Sequence, residues 1–271
     1  MRGTSSTSFD EVVQQAQPVF ATRDPSLDST ADELFAIADA IDSSNQLVRL
    51  LSDSGRGGEV KETAVRTLLT GKVSDTALSL TLEVVRRRWS EQEDILEALE
   101  RLGVIALLEQ SEHEGCLAQV EEELFQFSRL IDDSAELSSS FDDARGDTSA
   151  RGAVARSLLE GRAHRLTVAL AARAVSRPTA QKPSRRVREF AEFASERRSR
   201  LLAVVETSRS LDEAQQSRLG AVLARIYGRE VQMNLEVSPD VVGGLRIHVG
   251  DDLYDATVLA RLAKAREHLE S

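Results

Sequence analysis

Residues 32–71 and 122–161 of this chain read as two copies of one segment. The first opens DELFAIADAIDSSNQLVRLL and closes KETAVRTLLTG; the second opens EELFQFSRLIDDSAELSSSF and closes RGAVARSLLEG. They align without a gap at a constant offset of 90. Glu33-Leu34-Phe35 falls on Glu123-Leu124-Phe125, Ile41-Asp42 on Ile131-Asp132, and Leu68-Leu69 with Gly71 on Leu158-Leu159 with Gly161. Chance likeness between amphipathic helices does not hold one register for this long, so the chain carries a duplicated helical unit.

Each copy is punctuated as short helices. In the first, Ser26 or Ser29 is placed to cap a helix carrying Leu34, Ile37, Ala38 and Ile41 at helical spacing. A second short helix runs through Leu47, Leu50 and Leu51. A third spans about 58–70, with Val60, Ala64, Val65, Leu68 and Leu69 on one face and Gly71 as its C-terminal stop. A fourth starts at Ser74 with Leu78, Leu82 and Val85 inward. Helices with one apolar stripe each bury it only against one another, which predicts a small bundle per copy.

SRPTAQKPS at 176–184 breaks the pattern. The basic helix that follows, RRVREFAEFASERRSR, turns Val187, Phe190, Ala191 and Ala194 inward, and its charges read as a solvated face. The chain then changes character. LLAVVET reads as a strand, and Ser210 with Glu213 as a capping box opening a helix with Leu219, Val222, Leu223 and Ile226 on one side. VQMNLEV and LRIHV alternate as strands and are expected to pair, and a closing helix spans about 257–269. The expected fold is mainly α: a tandem duplicated helical bundle (1–92 and 93–200) followed by a small α/β module of order β-α-β-β-α (201–271).

A net charge of −11 disfavours a nucleic-acid or anionic-membrane surface, both of which reward positive charge. A single cysteine, Cys116, excludes an internal disulfide and fits a reducing compartment. The N-terminus lacks the apolar run of a secretory signal, and LGVIALL at 102–108 is far too short to span a bilayer, so no direct membrane insertion is expected.

No catalytic constellation is legible. His113, His164, His248 and His268 are scattered, and His113-Glu114-Gly115-Cys116 lacks a second ligand pair at metal-site spacing. SGRGGEVKET at 54–63 lacks the phosphate-loop spacing, there is no G-x-S-x-G, and Cys116 has no evident base. The stretch most suggestive of a site is GGLRIHVGDDLYDATVLARL at 243–262. Its glycines precede a strand, whereas phosphate-binding glycines follow one. Gly250-Asp251-Asp252 therefore reads as a chain reversal, and Asp255 as a cap for the terminal helix near Thr257. No cofactor, metal or catalytic residue is expected.

The same stretch carries a resemblance. Gly243, Gly244, Leu245, Ile247, Val249, Gly250, Asp251, Asp255, Thr257, Arg261 and Leu262 fall where the delta subunit of F-type ATP synthases, called OSCP in mitochondria, has its closing signature. The chain is similar to that family over roughly 94–271, and the extra length matches the repeat offset, a form that looks actinobacterial. The resemblance implies a non-catalytic subunit of the peripheral stalk, on the cytoplasmic face of the cell membrane. It would join the α3β3 catalytic head to the b-subunit stalk and stop the head from turning with the rotor. It implies two partners, the N-terminal helices of α subunits for the bundle and the b helix for the C-terminal module. Val12, Val13, Val19, Phe20, Leu78, Leu82 and Val85 are candidates for the α-subunit groove in copy one, and equally candidates for core. A free-standing adaptor for amphipathic helices of another complex is the alternative reading.

Overall fold

The computed structural model describes residue 1 and residues 3–21, 27–142, 148–177, 181–199, 202–227, 231–239, 241–249 and 252–257. The chain divides into two compact units, Met1–Ala191 and Glu192–Ser271.

The first unit opens with α1 (Thr4–Ala21), α2 (Leu27–Asp42), α3 (Asn45–Ser52), α4 (Gly58–Leu69) and α5 (Asp75–Arg86). Then come α6 (Gln92–His113), α7 (Leu117–Asp133), α8 (Ala135–Asp142), α9 (Thr148–Leu159) and α10 (Arg165–Ser176). Helices α2 to α5 begin ninety residues before α7 to α10, one for one. Shifted by the same ninety, α1 falls within α6, so the duplicated unit has five helices. The register runs down to single hydrogen bonds. Ser44 Oγ accepts from Leu47 N, and Ser134 Oγ from Leu137 N. Glu33 takes the Ser74 N–H at the start of α5, and Glu123 takes the His164 N–H at the start of α10. A carboxylate there satisfies an orphan donor and meets the positive end of the helix. Gly71 and Gly161 stand at φ 75° and 71°, each ending its helix in the left-handed region that a side chain disfavours.

Helix α6 is buried nearly all round, with Ile95, Leu99, Leu102 and Leu107 each at most 1% exposed. It packs most extensively on α2, touches α1, α3 and α5, and also meets α7 and α10. It is thus the sixth helix of the first bundle and the first helix of the second. Helix α11 (Pro183–Ser199) begins 91 residues after α6 and ties to it through Arg186, 3.0 Å from Glu100, with Val187, Phe190, Ala191 and Ala194 buried as expected.

The α2–α6 contact depends on Gly103. A Cβ there would lie 2.4 Å from the Phe35 ring, whose face also carries the Arg173 guanidinium 4.7 Å from its centroid. Gly103→Ala is expected to destabilise the chain by about 1–3 kcal/mol, the usual penalty of overpacking, measured by urea unfolding. Phe125, ninety residues after Phe35, is 44% exposed.

Two expectations about these helices need correction. Ser29 lies inside α2, where its N–H donates to Asp28, and Ser26 lies outside the described residues. In α4 the apolar stripe is wider than its cover: Val65 is buried, but Val60 is 50% and Leu68 38% exposed. In copy one α4 packs chiefly on α5 and so hides only part of its face.

The second unit holds β1 (Leu202–Thr207), α12 (Glu213–Tyr227), β2 (Gln232–Val237), β3 (Leu245–Val249) and β4 (Asp252–Asp255), with sheet order β2-β1-β3-β4. The expected pairing of 231–237 with 245–249 is overturned. β1 lies between them, parallel to β2 (Val205 opposite Leu235) and antiparallel to β3 (Val205 opposite Ile247). LAVVET is the most apolar strand and takes the central place, whereas QMNLEV, with its Asn and Glu, tolerates an edge. α12 is the crossover that parallel neighbours require. Ala203, Val205, Leu223, Val231, Ile247 and Val249 form the core of this unit.

The start of α12 also differs from the expected one. Asp212 accepts from Gln215 N at 2.7 Å while Gln215 accepts from Asp212 N at 3.0 Å, so the capping box is Asp212 with Gln215 rather than Ser210 with Glu213. Leu223 is buried, but Val222 and Ile226 are exposed, so the inward stripe of α12 is narrower than its spacing implied. The helix expected at about 257–269 lies outside the described residues, apart from Thr257.

Candidate functional site

The glycine-led stretch folds as a structural turn. Gly244 sits at φ 83°, and a Cβ there would meet Ala256 O at 2.4 Å and Thr257 Cα at 3.0 Å. That close approach lets Ala256 N donate to Leu245 O at 3.0 Å, locking the end of β4 to the start of β3. LYDAT adds a strand to the expected order, because DLYD pairs antiparallel with β3, Tyr254 opposite Ile247. Asp255 ends β4. Its carboxylate accepts the Thr257 N–H at 2.9 Å and pairs with Arg246, and both hold it below the ordinary carboxylate range, the Thr257 bonds most. Asp252 accepts from the Tyr227 hydroxyl at 2.9 Å. These carboxylates hold turns and neighbours in place. Gly243 precedes the turn, and Ile247, Val249 and Thr257 are buried while Leu245 packs at the core's edge. Gly250, Asp251, Arg261 and Leu262 lie outside the described residues.

Of the residues singled out for the groove of copy one, Val12, Phe20, Leu78, Leu82 and Val85 are buried; Val13 and Val19 are half-buried. They sit on α1 and α5, which pack on each other. The open apolar feature lies elsewhere in copy one. Ile37 and Ile41 of α2, Leu47 and Leu51 of α3, and Val65 and Leu68 of α4 line a groove walled by hydrocarbon. Sequence reasoning missed it because the spacing of these residues assigned all of them to core.

The same place in copy two is filled differently. Ile37 and Leu51 correspond to Phe127 and Phe141, whose rings meet edge to face with centroids 6.4 Å apart. Both are buried. Two aromatic rings where copy one has two aliphatic side chains occupy the space that the first copy leaves open.

Charge is concentrated where α2, α6, α10 and α11 meet. Glu100 is 1% exposed and pairs with Arg173, Arg177 and Arg186 at 2.5, 3.4 and 3.0 Å, and Arg173 also reaches Asp39 at 2.7 Å. Burial on its own raises the Glu100 pKa, but the three guanidinium groups outweigh it and hold the carboxyl below its usual range. Each charge in this cluster has an opposite partner, which is the pattern of a structural ion network, although Arg186 Nε keeps no hydrogen-bond acceptor. The Cys116 thiol is pushed up by burial and by Glu114, which argues against a nucleophile.

No described helix is long and apolar enough to cross a membrane.

Comparison with known proteins bears on these features. The family model for the ATP synthase delta (OSCP) subunit matches residues 105–269. The ATP synthase subunit delta of Kineococcus radiotolerans is 39% identical over 240 residues, 89% of this chain and 87% of that one. That of Beutenbergia cavernae is 36% identical over 269 residues, 99% of both chains, so its likeness includes the first copy. That of Streptomyces coelicolor is 37% identical over 243 residues, 90% of this chain and 89% of that one. With the helical repeat, the mixed sheet and the turn at Gly244 in hand, these matches show that the chain belongs to the ATP synthase delta (OSCP) subunit family.

Proposed function

We propose that this chain is a non-catalytic coupling subunit of an F-type ATP synthase, joining the catalytic head to the b-subunit peripheral stalk at the cytoplasmic face of the membrane. The observation that carries this reading is likeness along the whole length to a protein named ATP synthase subunit delta, first copy included. Such a role needs affinity and stiffness rather than chemistry. The groups that resemble catalytic ones, Asp252, Asp255 and Glu100, are committed to turns and ion pairs.

The helical unit receives N-terminal helices of α subunits, and the C-terminal module meets the b helix. Two surfaces of copy one suit an amphipathic helix: the α1/α5 face, through Val13 and Val19, and the α2/α3/α4 groove. The groove is the stronger candidate, because Leu68 stands 38% exposed at its rim over an apolar floor of Ile37, Ile41, Leu51 and Val65, where copy two has the Phe127–Phe141 pair.

Titration of the full chain with an α-subunit N-terminal peptide and, separately, with the b cytoplasmic helix tests this reading. Leu68→Glu is expected to weaken the α peptide by on the order of 2 kcal/mol, about 30-fold, and to leave b binding unchanged. Failure of the full chain to bind either partner sinks the proposal. Unchanged α-peptide binding in Leu68→Glu moves the site to the α1/α5 face, where Val13→Glu is the next variant.

A further inference from the structure

We propose that Glu114, Cys116 and His164 form a binding site for a zinc-type divalent cation, built into the second helical copy alone. One potential ligand atom from each residue lies within 4.8 Å of the other two, and Cys116 Sγ stands 3.7 Å from His164 Nδ1. Around a tetrahedral zinc, with metal–sulfur and metal–nitrogen bonds of about 2.3 and 2.0 Å, neighbouring ligand atoms are separated by roughly 3.5 Å. The Cys–His pair is therefore already at ligand spacing, and the Glu114 carboxylate, now 3.6 Å from His164 Nε2 and accepting from Gln110 at 2.6 Å, leaves both to join a metal on Nδ1.

Three helix ends bring the ligands together. Glu114 caps the C-terminus of α6, Cys116 precedes α7, and His164 precedes α10. The backbone between them is pinned: Cys116 N donates to Ser111 O at 2.8 Å, and His164 N donates to Glu123 at 2.9 Å. Forty-eight residues separate Cys116 from His164, which is why no metal spacing is visible in the sequence. Thiolate, imidazole and carboxylate together suit zinc rather than magnesium or calcium, which take oxygen ligands.

The charges balance. Binding releases one proton: the Cys116 thiol becomes a thiolate bonded to the metal, and the proton leaves to solvent. Neutral His164 gives its Nδ1 lone pair, surrendering its 3.3 Å bond from Leu166 N. With the Glu114 carboxylate, the dication is neutralised. Arg165, which now contacts Glu114, also pairs with Asp28 at 2.8 Å and keeps that partner when Glu114 turns to the metal. His164 and Glu114 are both partly exposed, leaving a fourth coordination position for water. In copy one the corresponding residues are Asp24, Ser26 and Ser74, a set with neither thiol nor imidazole.

The test is cobalt(II) titration of the full, chelator-treated chain, followed by zinc displacement. The expected result is one equivalent bound with the intense visible bands and thiolate charge-transfer band of tetrahedral cobalt, both removed by zinc. Cys116→Ser is expected to abolish the charge-transfer band. His164→Ser is expected to weaken binding by at least about 10-fold, the smallest loss expected even for a group that merely supports a ligand. Serine is chosen because Ser74 caps the equivalent helix of copy one, accepting from Ala77 N, so the variant keeps its fold. Zinc is expected to raise the Tm of the natural chain and not that of Cys116→Ser. A folded natural chain that binds no cobalt, or binds it without a thiolate band and equally well in Cys116→Ser, overturns the proposal.

Discussion

Glu100→Ala is expected to destabilise the first unit by about 3–5 kcal/mol, seen as a lowered urea midpoint with little change in slope. The substitution removes the one carboxylate, among the described residues, that reaches Arg173, Arg177 and Arg186 together. Three guanidinium groups, each almost covered, are then left to repel one another beside Asp39. Replacing all four members by apolar residues of similar volume is a different experiment and costs far less, because it leaves no charge stranded. The pH dependence has a definite sign. Because the folded carboxyl titrates below its ordinary value, its contribution is complete above the unfolded glutamate value of about 4.3. It is lost as pH falls through the lower folded value. Glu100→Gln is therefore less stable than the natural chain at neutral pH, and the gap narrows on acidification. Equal stability of the two proteins at pH 7 would show that the cluster contributes nothing.

The second large effect is expected at Gly244. A valine there must adopt φ near 83°, which β-branched residues essentially never do, and its Cβ would overlap the Ala256 carbonyl oxygen. Backbone strain of about 1–3 kcal/mol adds to a clash that only movement of the strand can relieve. The anticipated outcome is loss of the β3–β4 pairing: amides of β3 and β4 exchange rapidly while those of α6 keep their protection. Native-like exchange throughout the second unit would refute this account. The variant is also expected to lose the b helix before the α peptide if the two units divide the partners as proposed.

What was legible in the sequence follows from the range of the interactions. The repeat was visible because ninety-residue register is a property of the chain itself, and it carried through to Glu33 and Glu123 above their helix starts. Apolar stripes located the helices but overstated their burial. Val60, Leu68, Val222 and Ile226 have the spacing of core residues, yet their helices are covered on one side only. Strand positions were readable from alternation, whereas strand order was not. Which strand is central depends on comparing LAVVET with QMNLEV and on α12 serving as the crossover. DLYD was missed because four residues with two aspartates carry little strand signal. The meeting of Cys116 with His164 had no local signature at all, since it arises from the docking of α10 against α7.

Helix α6 serves both bundles at once, and this sets how such a molecule can change length. Each added repeat supplies five helices and takes its sixth from its neighbour, so the chain grows in steps of about ninety residues rather than in whole six-helix blocks. Cutting between the copies therefore yields no two independent proteins. One fragment loses the helix that covers Phe35, and the other keeps it with its buried face stripped. A shared helix also couples the copies dynamically: an opening that bares α6 on its α2 side loosens the wall that α7 and α10 pack against.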